Sequence, residues 1–541
     1  MSHIRRFHEA QHGNRSPLLV IQHFVKAHGL PDPAQVCQIA REVALPEAAV
    51  RGAMSFYSDL HQDPDTIRIC LGTSCVLAAA KHLFSAARQR TTCRPVYCIG
   101  FCDRSPAALC SGEHAVALNG AVSVESLLDP ASPEPSRPLI RSVAKQTIVT
   151  RRIGRGDFSD LSSARADGAY ETLDKVRRMK PEDVLSTMEQ SGECGRGGAA
   201  FPTGSKWRHC AEVAAHLKYV VANGDEGDPG SFIDRVLMED DPHAILEGIA
   251  SCGHAVGAGK GVVYIRSEYP RAMQRVKHAI EAATAAGYLD DFDVSVFPGM
   301  GSYVCGEETA MLNAMEGLRG EVRLRPPYPV VEGLFGKPTV VNNVETFANV
   351  PWILERGADA YAAMGTKASP GTKAICLNHG FALSGILEVE FGRSLREVIE
   401  LDAGGGAHGQ KLEAVLIGGP MGSVAIPSQW DVPVCYQAMA QQKLILGHAG
   451  LVAVPEGTDL RALLLHWLEF MVDESCGKCV PCRLGSRRAL DLLNGAAGRE
   501  VVPELSRLMD IMAQASLCAF GQLMPGPMSQ MLENFGGRIF P

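Results

Sequence analysis

Leu217-Lys-Tyr-Val-Val-Ala-Asn-Gly-Asp-Glu-Gly-Asp-Pro229 is an apolar run that breaks into a loop of glycines and acids. Leu217–Ala222 reads as a buried strand, because a short valine-rich run bounded by glycine and proline suits one. Gly261–Arg266 and Asp293–Phe297 read the same way, while Arg271–Ala286 and Glu307–Glu316 read as helices. Strands alternating with helices predict an α/β block over residues 145–365, with ligands gathered in loops at the strand ends. The loop Asn223–Pro229 is crowded with acceptors for ribose hydroxyls, a flavin edge or a divalent cation. A solvated acidic turn fits the same residues.

Neighbouring loops share this character. Gly195-Arg-Gly-Gly-Ala-Ala-Phe-Pro-Thr-Gly-Ser-Lys206 is dense in small residues and ends in a cation. The amides of Gly197, Gly198 and Ala199 can cradle a phosphate, with Arg196 or Lys206 neutralising its charge. The spacing is neither a Walker A loop nor G-x-G-x-x-G, so it supports only an anion or nucleotide loop, and a ligand-free glycine hairpin remains open. Cys305-Gly-Glu-Glu308 opens a helix, where the macrodipole favours acids even without function. Asn342-Asn343 after Thr339-Val-Val is a weak signal alone.

Outward from this block, residues 366–435 carry strand-like pieces at Lys373–Leu377, Ile386–Glu390 and Ala414–Ile417, with a helix near Leu395–Leu401, and read as a small α+β module. Residues 436–541 are largely helical, through Leu460–Val472, Ser486–Leu493 and Val502–Ala515. Upstream, Asp129–Pro138 holds four prolines in ten residues and marks a linker, 129–144. Residues 1–128 open with proline-started helices at Pro17–His28, Pro33–Val43 and Pro46–Ser55. A β-α-β-β unit follows: strands Thr66–Leu71 and Pro95–Cys98, the helix Val76–Arg90 between them, and a hairpin of Ala107–Cys110 and His114–Asn119 about Ser111-Gly112.

The chain has 541 residues, 46% hydrophobic and 21% charged, enough for three or four domains with real cores. Its net charge, 52 − 60 = −8, argues against a nucleic-acid surface. No apolar stretch is long enough for a membrane span and no secretory h-region is visible, so a soluble, cytoplasmic protein is expected. Seventeen cysteines in such a chain are buried small residues or metal ligands rather than disulfides. Cys476, Cys479 and Cys482, at x2 spacing, can wrap one face of a cubane that Cys518 closes, which favours [4Fe–4S] over the zinc alternative. Cys70 and Cys75 (C-x4-C) with Cys98 and Cys102 (C-x3-C) lie in adjacent loops and suit a [2Fe–2S] rhomb; zinc and isolated thiols stay open on spacing alone. The other nine cysteines lie singly and most of them read as packing; Cys305 stands beside Glu307 and Glu308.

Together these stretches resemble one family, the NADH-oxidising flavoprotein (diaphorase) of complex I and of soluble NAD-linked dehydrogenases. The likeness runs through Gly195–Gly204, Asn223–Gly230, Tyr264–Tyr269, Gly301–Thr309, Pro326-Pro327, Gly336–Glu345 and Glu474–Arg483. Residues 1–125 resemble the family's thioredoxin-like [2Fe–2S] partner subunit, through Ser55-Phe-Tyr57 and the two early cysteine pairs. The resemblance implies an α/β multidomain chain: N-terminal helices with a thioredoxin-like [2Fe–2S] domain, an FMN- and NAD-binding α/β domain, a small β-grasp-like α+β domain and a helical [4Fe–4S] domain.

Carried onto this sequence, the resemblance implies FMN contacts at Gly195, Gly197, Gly198, Lys206, Asn223, Asp225, Tyr303, Gly306, Glu307, Asn342 and Asn343; Arg196 is a candidate from the loop's composition alone. The nicotinamide nucleotide is implied near Phe201, Glu308, Arg325 and Tyr328, with Glu308 and Asp228 holding its reactive end. There are departures: Ala200 stands where a third glycine is common, His209 where an adenine-stacking aromatic is common, and Asp228 where complex I members have Glu. The acid at 228 disfavours a 2′-phosphate and so favours NAD. Gly197–Phe201, Gly227-Asp228, Ser267–Pro270 and Ser516–Gly521 look most like the beta subunit of NAD-dependent formate dehydrogenases. That implies a hetero-oligomer with a molybdopterin (Mo or W) catalytic subunit carrying further iron–sulfur clusters, and neither nucleic acid nor membrane as partner. The diaphorase of NAD-reducing hydrogenase is the alternative; a zinc-stapled structural subunit and an independent quinone or ferredoxin reductase are the competing classes.

Overall fold

The computed structural model describes residues 16–61, 66–110, 114–120, 123–495 and 498–540. At its centre the strand Tyr219–Gly224 lies in a four-stranded parallel sheet, ordered Asp293–Pro298, Lys260–Ile265, Tyr219–Gly224, Thr339–Asn343. The chain builds outward from Tyr219–Gly224 to Asp293–Pro298, then returns to place Thr339–Asn343 on the opposite side. This reversal opens a crevice beyond the carboxyl ends of Tyr219–Gly224 and Thr339–Asn343, where parallel α/β sheets bind ligands.

Local chemistry places the helices that cover this sheet. Pro242–Val256 starts on Asp241, whose carboxylate accepts from Ala244 N (3.3 Å), with proline in the first turn, and stops at Gly257 with φ 71°. It is apolar nearly all round and almost wholly buried, as an interior helix must be. Gly248 lets Val344–Arg356 pack directly on it, since a Cβ there would lie 2.1 Å from Phe347 O.

The expected N-terminal helices form as Pro17–His28, Pro33–Glu42 and Glu47–Phe56, the second with an Asp32/Gln35 capping box. Their buried Leu18, Ile21, Val50 and Tyr57 share a core with Met311 and Leu312 of the helix Glu308–Met315. The β-α-β-β unit is present as the sheet Cys93–Val96, Ile67–Cys70, Ala107–Cys110, His114–Ala117. Its expected single helix Val76–Arg90 is instead two, Thr73–Leu77 and Ala80–Ala87, because Ala79 adopts φ 62° between them. The turn Ser111-Gly112 lies outside the described residues.

The α+β module departs from its expected limits. Its six-stranded sheet runs Ser423–Ala425, Leu412–Ile417, Gly450–Pro455, Thr372–Leu377, Gly385–Glu390, Ile140–Ser142. Gly450–Pro455 comes from beyond residue 435, and Ile140–Ser142 from the expected linker, so neither limit holds as drawn. The reason is pairing: Gly450–Pro455 bridges Leu412–Ile417 and Thr372–Leu377, and Ile140–Ser142 pairs in parallel with Gly385–Glu390. The helix expected near Leu395–Leu401 is a π-helical turn, Glu397–Asp402. The C-terminal helices Leu460–Glu474, Val480–Gly495, Val502–Ala515 and Pro525–Ile539 form one core. No helix among the described residues is long and apolar enough to cross a membrane.

A buried carboxylate fastens the module to the start of the α/β block. Glu388 accepts from Ile148 N (2.7 Å), Thr150 N (3.0 Å), Thr150 Oγ1 (2.6 Å) and Thr372 Oγ1 (2.6 Å), fully out of solvent. Glu388→Ala strands these buried donors and is expected to lower the first urea unfolding transition by about 3–5 kcal/mol. A loss below ~1 kcal/mol would show the junction to be held otherwise.

Candidate active site and metal centres

The crevice is walled by loops that the sequence singled out separately. Gly195 N donates to Phe201 O (2.9 Å) and Cys194 bridges Pro202, which pinches Gly195–Phe201 into a hairpin. Its tip lies on the end of Thr339–Asn343, where a Cβ on Gly197 would sit 3.1 Å from Asn343 Cβ. Ala200, in place of the third glycine, is held at φ 51°, in the left-handed region. Gly197 and Ala199 are exposed.

Lys206 projects from the first turns of Thr203–Glu212 and donates to Val341 O (2.9 Å), with Glu308 at 3.4 Å and the Phe201 ring at 5.8 Å. Glu308 also pairs with Arg325 (3.2 Å), which lies 3.7 Å from Glu307. Glu307 caps Glu308–Met315 by accepting from Thr309 N (3.0 Å) and Ala310 N (2.9 Å); its other oxygen, Oε1, is buried without a hydrogen bond. Asn223 donates to Gly306 O (2.9 Å) and accepts from Asp225 N (3.0 Å). Asp225 Oδ2 is a second orphaned buried acceptor. Tyr303 donates its hydroxyl to Asp228. At the rim, Phe201 and Tyr328 are 47% and 55% exposed, unusual for aromatic side chains beside a crevice.

Three expected residues play other parts. Arg196 does not reach the crevice: its guanidinium is 1% exposed, pairs with Glu193, donates to Tyr361 OH (2.6 Å) and stacks 4.8 Å over Phe391. A buried carboxylate and phenol draw it inward, so it braces the loop from behind, and the expectation of a phosphate cation at this position is corrected. Asn342 accepts from Trp207 Nε1 (3.0 Å), and Asn343 caps Val344–Arg356 through Glu345 N (2.8 Å), so both side chains are committed to the crevice floor.

Burial dominates the electrostatics. It lifts Asp225 well above the usual carboxylate range against the nearby Arg266, and raises Asp228 against His448 and the Tyr303 hydroxyl. It also pushes Glu474, which accepts from Tyr303 N (2.8 Å), up to about 7.

The early cysteines assemble two by two. Cys98 and Cys102 sulfurs are 3.6 Å apart, and Cys70 pairs with Cys75. Gly230 N, from the crevice loop, donates to Cys102 Sγ (3.3 Å). In the late quartet, burial pushes Cys482 up to about 12 and Cys518 up to about 11, and Cys476 bears on both. A tetrahedral zinc site, with bonds of ~2.3 Å, holds its sulfurs ~3.8 Å apart. Among the described residues, the side chains that bring three donor atoms within 4.8 Å of one another are Glu226, Asp234 and His448, and neither cysteine quartet closes to that spacing. Two facing pairs suit the two-by-two ligation of a rhomb. Between the quartets runs an aromatic contact chain: Tyr97 to Phe470 (4.8 Å), Phe470 to Tyr303 (5.1 Å), and Tyr303 to Phe520 (5.7 Å).

Sequence reading missed Arg266, although it lies within the quoted Tyr264–Tyr269. It donates to Glu226 O (2.7 Å), Cys98 O (3.0 Å) and Tyr97 O (3.1 Å), joining crevice and early quartet. It also gave no separate role to Glu226, inside the quoted loop, or to Asp234, and missed His448, which lies far along the chain from both.

A parallel-sheet crevice with a glycine-rich anion loop, beside two cysteine quartets, defines a nucleotide-linked iron–sulfur flavoprotein. Residues 188–352 match the Nuo51 FMN-binding domain, 462–539 the NADH-ubiquinone oxidoreductase-F iron–sulfur binding region, and 4–131 the thioredoxin-like [2Fe–2S] ferredoxin. The chain is 43% identical over 401 residues to NADP-reducing hydrogenase subunit HndC of Solidesulfovibrio fructosivorans, covering 72% of this chain and 81% of that one. It is 35% identical over 414 residues to one subunit of the NADH-quinone oxidoreductase of Aquifex aeolicus, covering 74% and 95%. A chain of the NAD+-reducing [NiFe]-hydrogenase in its H2-reduced state superposes with TM-score 0.84 at 27% identity, covering 97% of this chain and 92% of that one. The protein belongs to the diaphorase family that these NADH-quinone oxidoreductase and hydrogenase subunits represent. It is an NAD-linked oxidoreductase with FMN, [4Fe–4S] and [2Fe–2S] domains, which sets aside the zinc scaffold.

Two outcomes follow from this geometry. Cys482→Ser is expected to remove about four irons per chain while leaving the [2Fe–2S] signal, read by iron analysis and electron paramagnetic resonance; an intact cubane signal would refute the ligand set. Ala200→Gly relieves the left-handed strain and is expected to raise stability by about 0.5–1 kcal/mol, seen in thermal melts.

Proposed function

We propose that the crevice is the FMN- and NAD-binding site, with each side chain in the role its position suits. The amides of Gly197 and Gly198 and the ammonium of Lys206 hold the flavin phosphate, in a hairpin that the Gly195 amide closes from behind. Asn223, Asp225, Tyr303, Gly306 and Glu307 line the isoalloxazine, over the floor set by Asn342 and Asn343. Phe201, Glu308, Arg325 and Tyr328 receive the nucleotide, and Asp228, oriented by Tyr303, takes a ribose hydroxyl. The observation that carries this reading is that an exposed glycine hairpin, the Lys206 ammonium and two buried carboxylate oxygens without hydrogen bonds all lie at the sheet's switch point.

Bound FMN supplies the chemistry, exchanging a hydride with nicotinamide and single electrons with the iron–sulfur centres. The chain's residues bind, orient and exclude water. Lys206 and Arg325 hold Glu308 from both sides, which fixes its carboxylate toward the nucleotide instead of leaving it free to act as acid or base. The Glu307 carboxylate also helps to raise the Cys518 thiol, after burial.

The partner is a molybdopterin formate dehydrogenase subunit in a cytoplasmic hetero-oligomer. This assignment rests on Gly197–Phe201, Gly227-Asp228, Ser267–Pro270 and Ser516–Gly521. A nickel-containing hydrogenase partner is the second reading, favoured by the superposition over 97% of the chain with the NAD+-reducing hydrogenase.

The complex purified through this chain is expected to reduce NAD+ with formate and not with hydrogen; hydrogen-driven reduction alone would select the second reading. Lys206→Met removes one charge-assisted contact and is expected to weaken FMN retention about 10–100-fold, measured by fluorescence of released flavin. Unchanged retention would remove Lys206 from the phosphate site.

A further inference from the structure

Beneath the Gly197–Gly198 hairpin lies a cluster that the roles above leave unused. Glu226, Asp234 and His448 are 2%, 0% and 4% exposed. His448 faces one carboxylate from each ring nitrogen: Nε2 is 3.3 Å from Asp234 Oδ2, and Nδ1 is 3.7 Å from Glu226 Oε1. A metal ion takes a single ring nitrogen, so carboxylates at opposite edges of the imidazole suit a proton-holding unit better than a chelate. Nδ1 has no hydrogen bond, which leaves the Glu226 side of the unit loose.

The cluster sits between both redox sites. The backbone of His448 lies 3.7 Å from where a Cβ on Gly198 would be, and Asn343, which donates to Asp234, belongs to the crevice floor. On the other side, Tyr269 donates to Glu226 Oε2 (3.2 Å), and its ring lies 2.8 Å from a Cβ position on Gly100, in the early cysteine loop. Glu226 also accepts from Asp234 N and Arg235 N, both at 3.1 Å.

We propose that Glu226, His448 and Asp234 form a redox-linked proton site, which takes up one proton as electrons enter the crevice and releases it as they leave. This rests on the reading of the crevice as the flavin and nucleotide site. The proton comes from the medium and returns to it: the Glu226 carboxylate becomes a carboxylic acid and then a carboxylate again. Driven by NADH, the electrons come from NADH and pass on to the iron–sulfur centres; driven by formate, they run the other way and the proton is taken up and released in the same sense.

The charges facing the unit allow this exchange. Burial works against a charge on His448, but Asp234 and then Glu226 outweigh it and raise the imidazole to about 9. Burial first, then Asp234, lifts Glu226 to about 7, against the pull of His448. Asp228 and Lys373 also face His448, Lys373 being paired with Glu345, while Tyr269 and Cys376 face Glu226. His448 therefore stays charged while Glu226 exchanges its proton near neutrality. Negative charge arriving beside it raises its proton affinity further.

The test is the reduced-minus-oxidised infrared difference spectrum of the cofactor-loaded protein, driven by NADH, with flavin bleaching followed in the same cell. A carboxylic-acid C=O band that shifts in 2H2O is expected on reduction. It should peak around neutral pH and vanish in acid, where Glu226 is protonated in both states. Glu226→Gln should abolish it, which separates Glu226 from the other buried carboxyls Asp225, Asp228 and Glu474. His448→Gln removes the imidazolium and should abolish the neutral-pH band as well. A band that survives Glu226→Gln, a band independent of pH, or flavin bleaching without a band overturns the proton site. Absence of bound flavin would instead overturn the reading of the crevice.

Discussion

The buried guanidinium of Arg266 ties the crevice to the early cysteine loop. Arg266 stands just past the strand Lys260–Ile265, beside the crevice loop, and its donors satisfy carbonyls of Glu226, Cys98 and Tyr97 while Asp225 and Glu268 balance its charge. A buried charge is tolerable only when nearly every donor is matched, so Arg266 holds loops from two domains in a fixed relation. Losing a partner of such a charge costs about 3–5 kcal/mol. Lysine could not replace it, because one ammonium cannot span carbonyls on both sides of a domain boundary with a planar fork.

Other contacts repeat this tie at different points of the same domain. His379 N donates to Cys102 O (2.9 Å), Trp467 Nε1 to Thr73 Oγ1 (3.3 Å), and Tyr97 OH to Asp473 (2.7 Å). The thioredoxin-like domain is therefore anchored on the α/β block, the β-grasp-like module and the helical domain together. A redox centre gains from this rigidity, since electron transfer depends on separations that a swinging domain would not keep. The aromatic contacts from Tyr97 to Phe520 fill the space between the quartets with packed side chains.

Much of this architecture is legible in the sequence because it is local. Apolar runs of strand length, prolines in first helical turns and short cysteine spacings each carry their meaning within a few residues. The helices Pro17–His28 and Val502–Ala515 form where their patterns predict. What is not legible depends on partners far along the chain. Arg196 looks like a phosphate cation until Tyr361, 165 residues away, is seen beside it. Gly450–Pro455 reads no differently from other apolar pieces, and only pairing with Leu412–Ile417 and Thr372–Leu377 makes it the third strand of a sheet begun earlier. Ala79 breaks a helix whose composition gives no reason to break. The Glu226–His448 contact joins residues 222 positions apart, beyond any pattern of spacing.

The strand Ile140–Ser142 gives the proline-rich segment a second meaning. A segment that only tethered two domains would leave Gly385–Glu390 as the outermost strand, with a free row of backbone donors and acceptors. Such rows recruit strands from other molecules and start aggregates. Here the tether ends by occupying that row, so the covalent join also seals a sheet edge. Separating the two halves into independent chains would therefore require more than cutting a linker, because the larger half would have to find another cover for Gly385–Glu390.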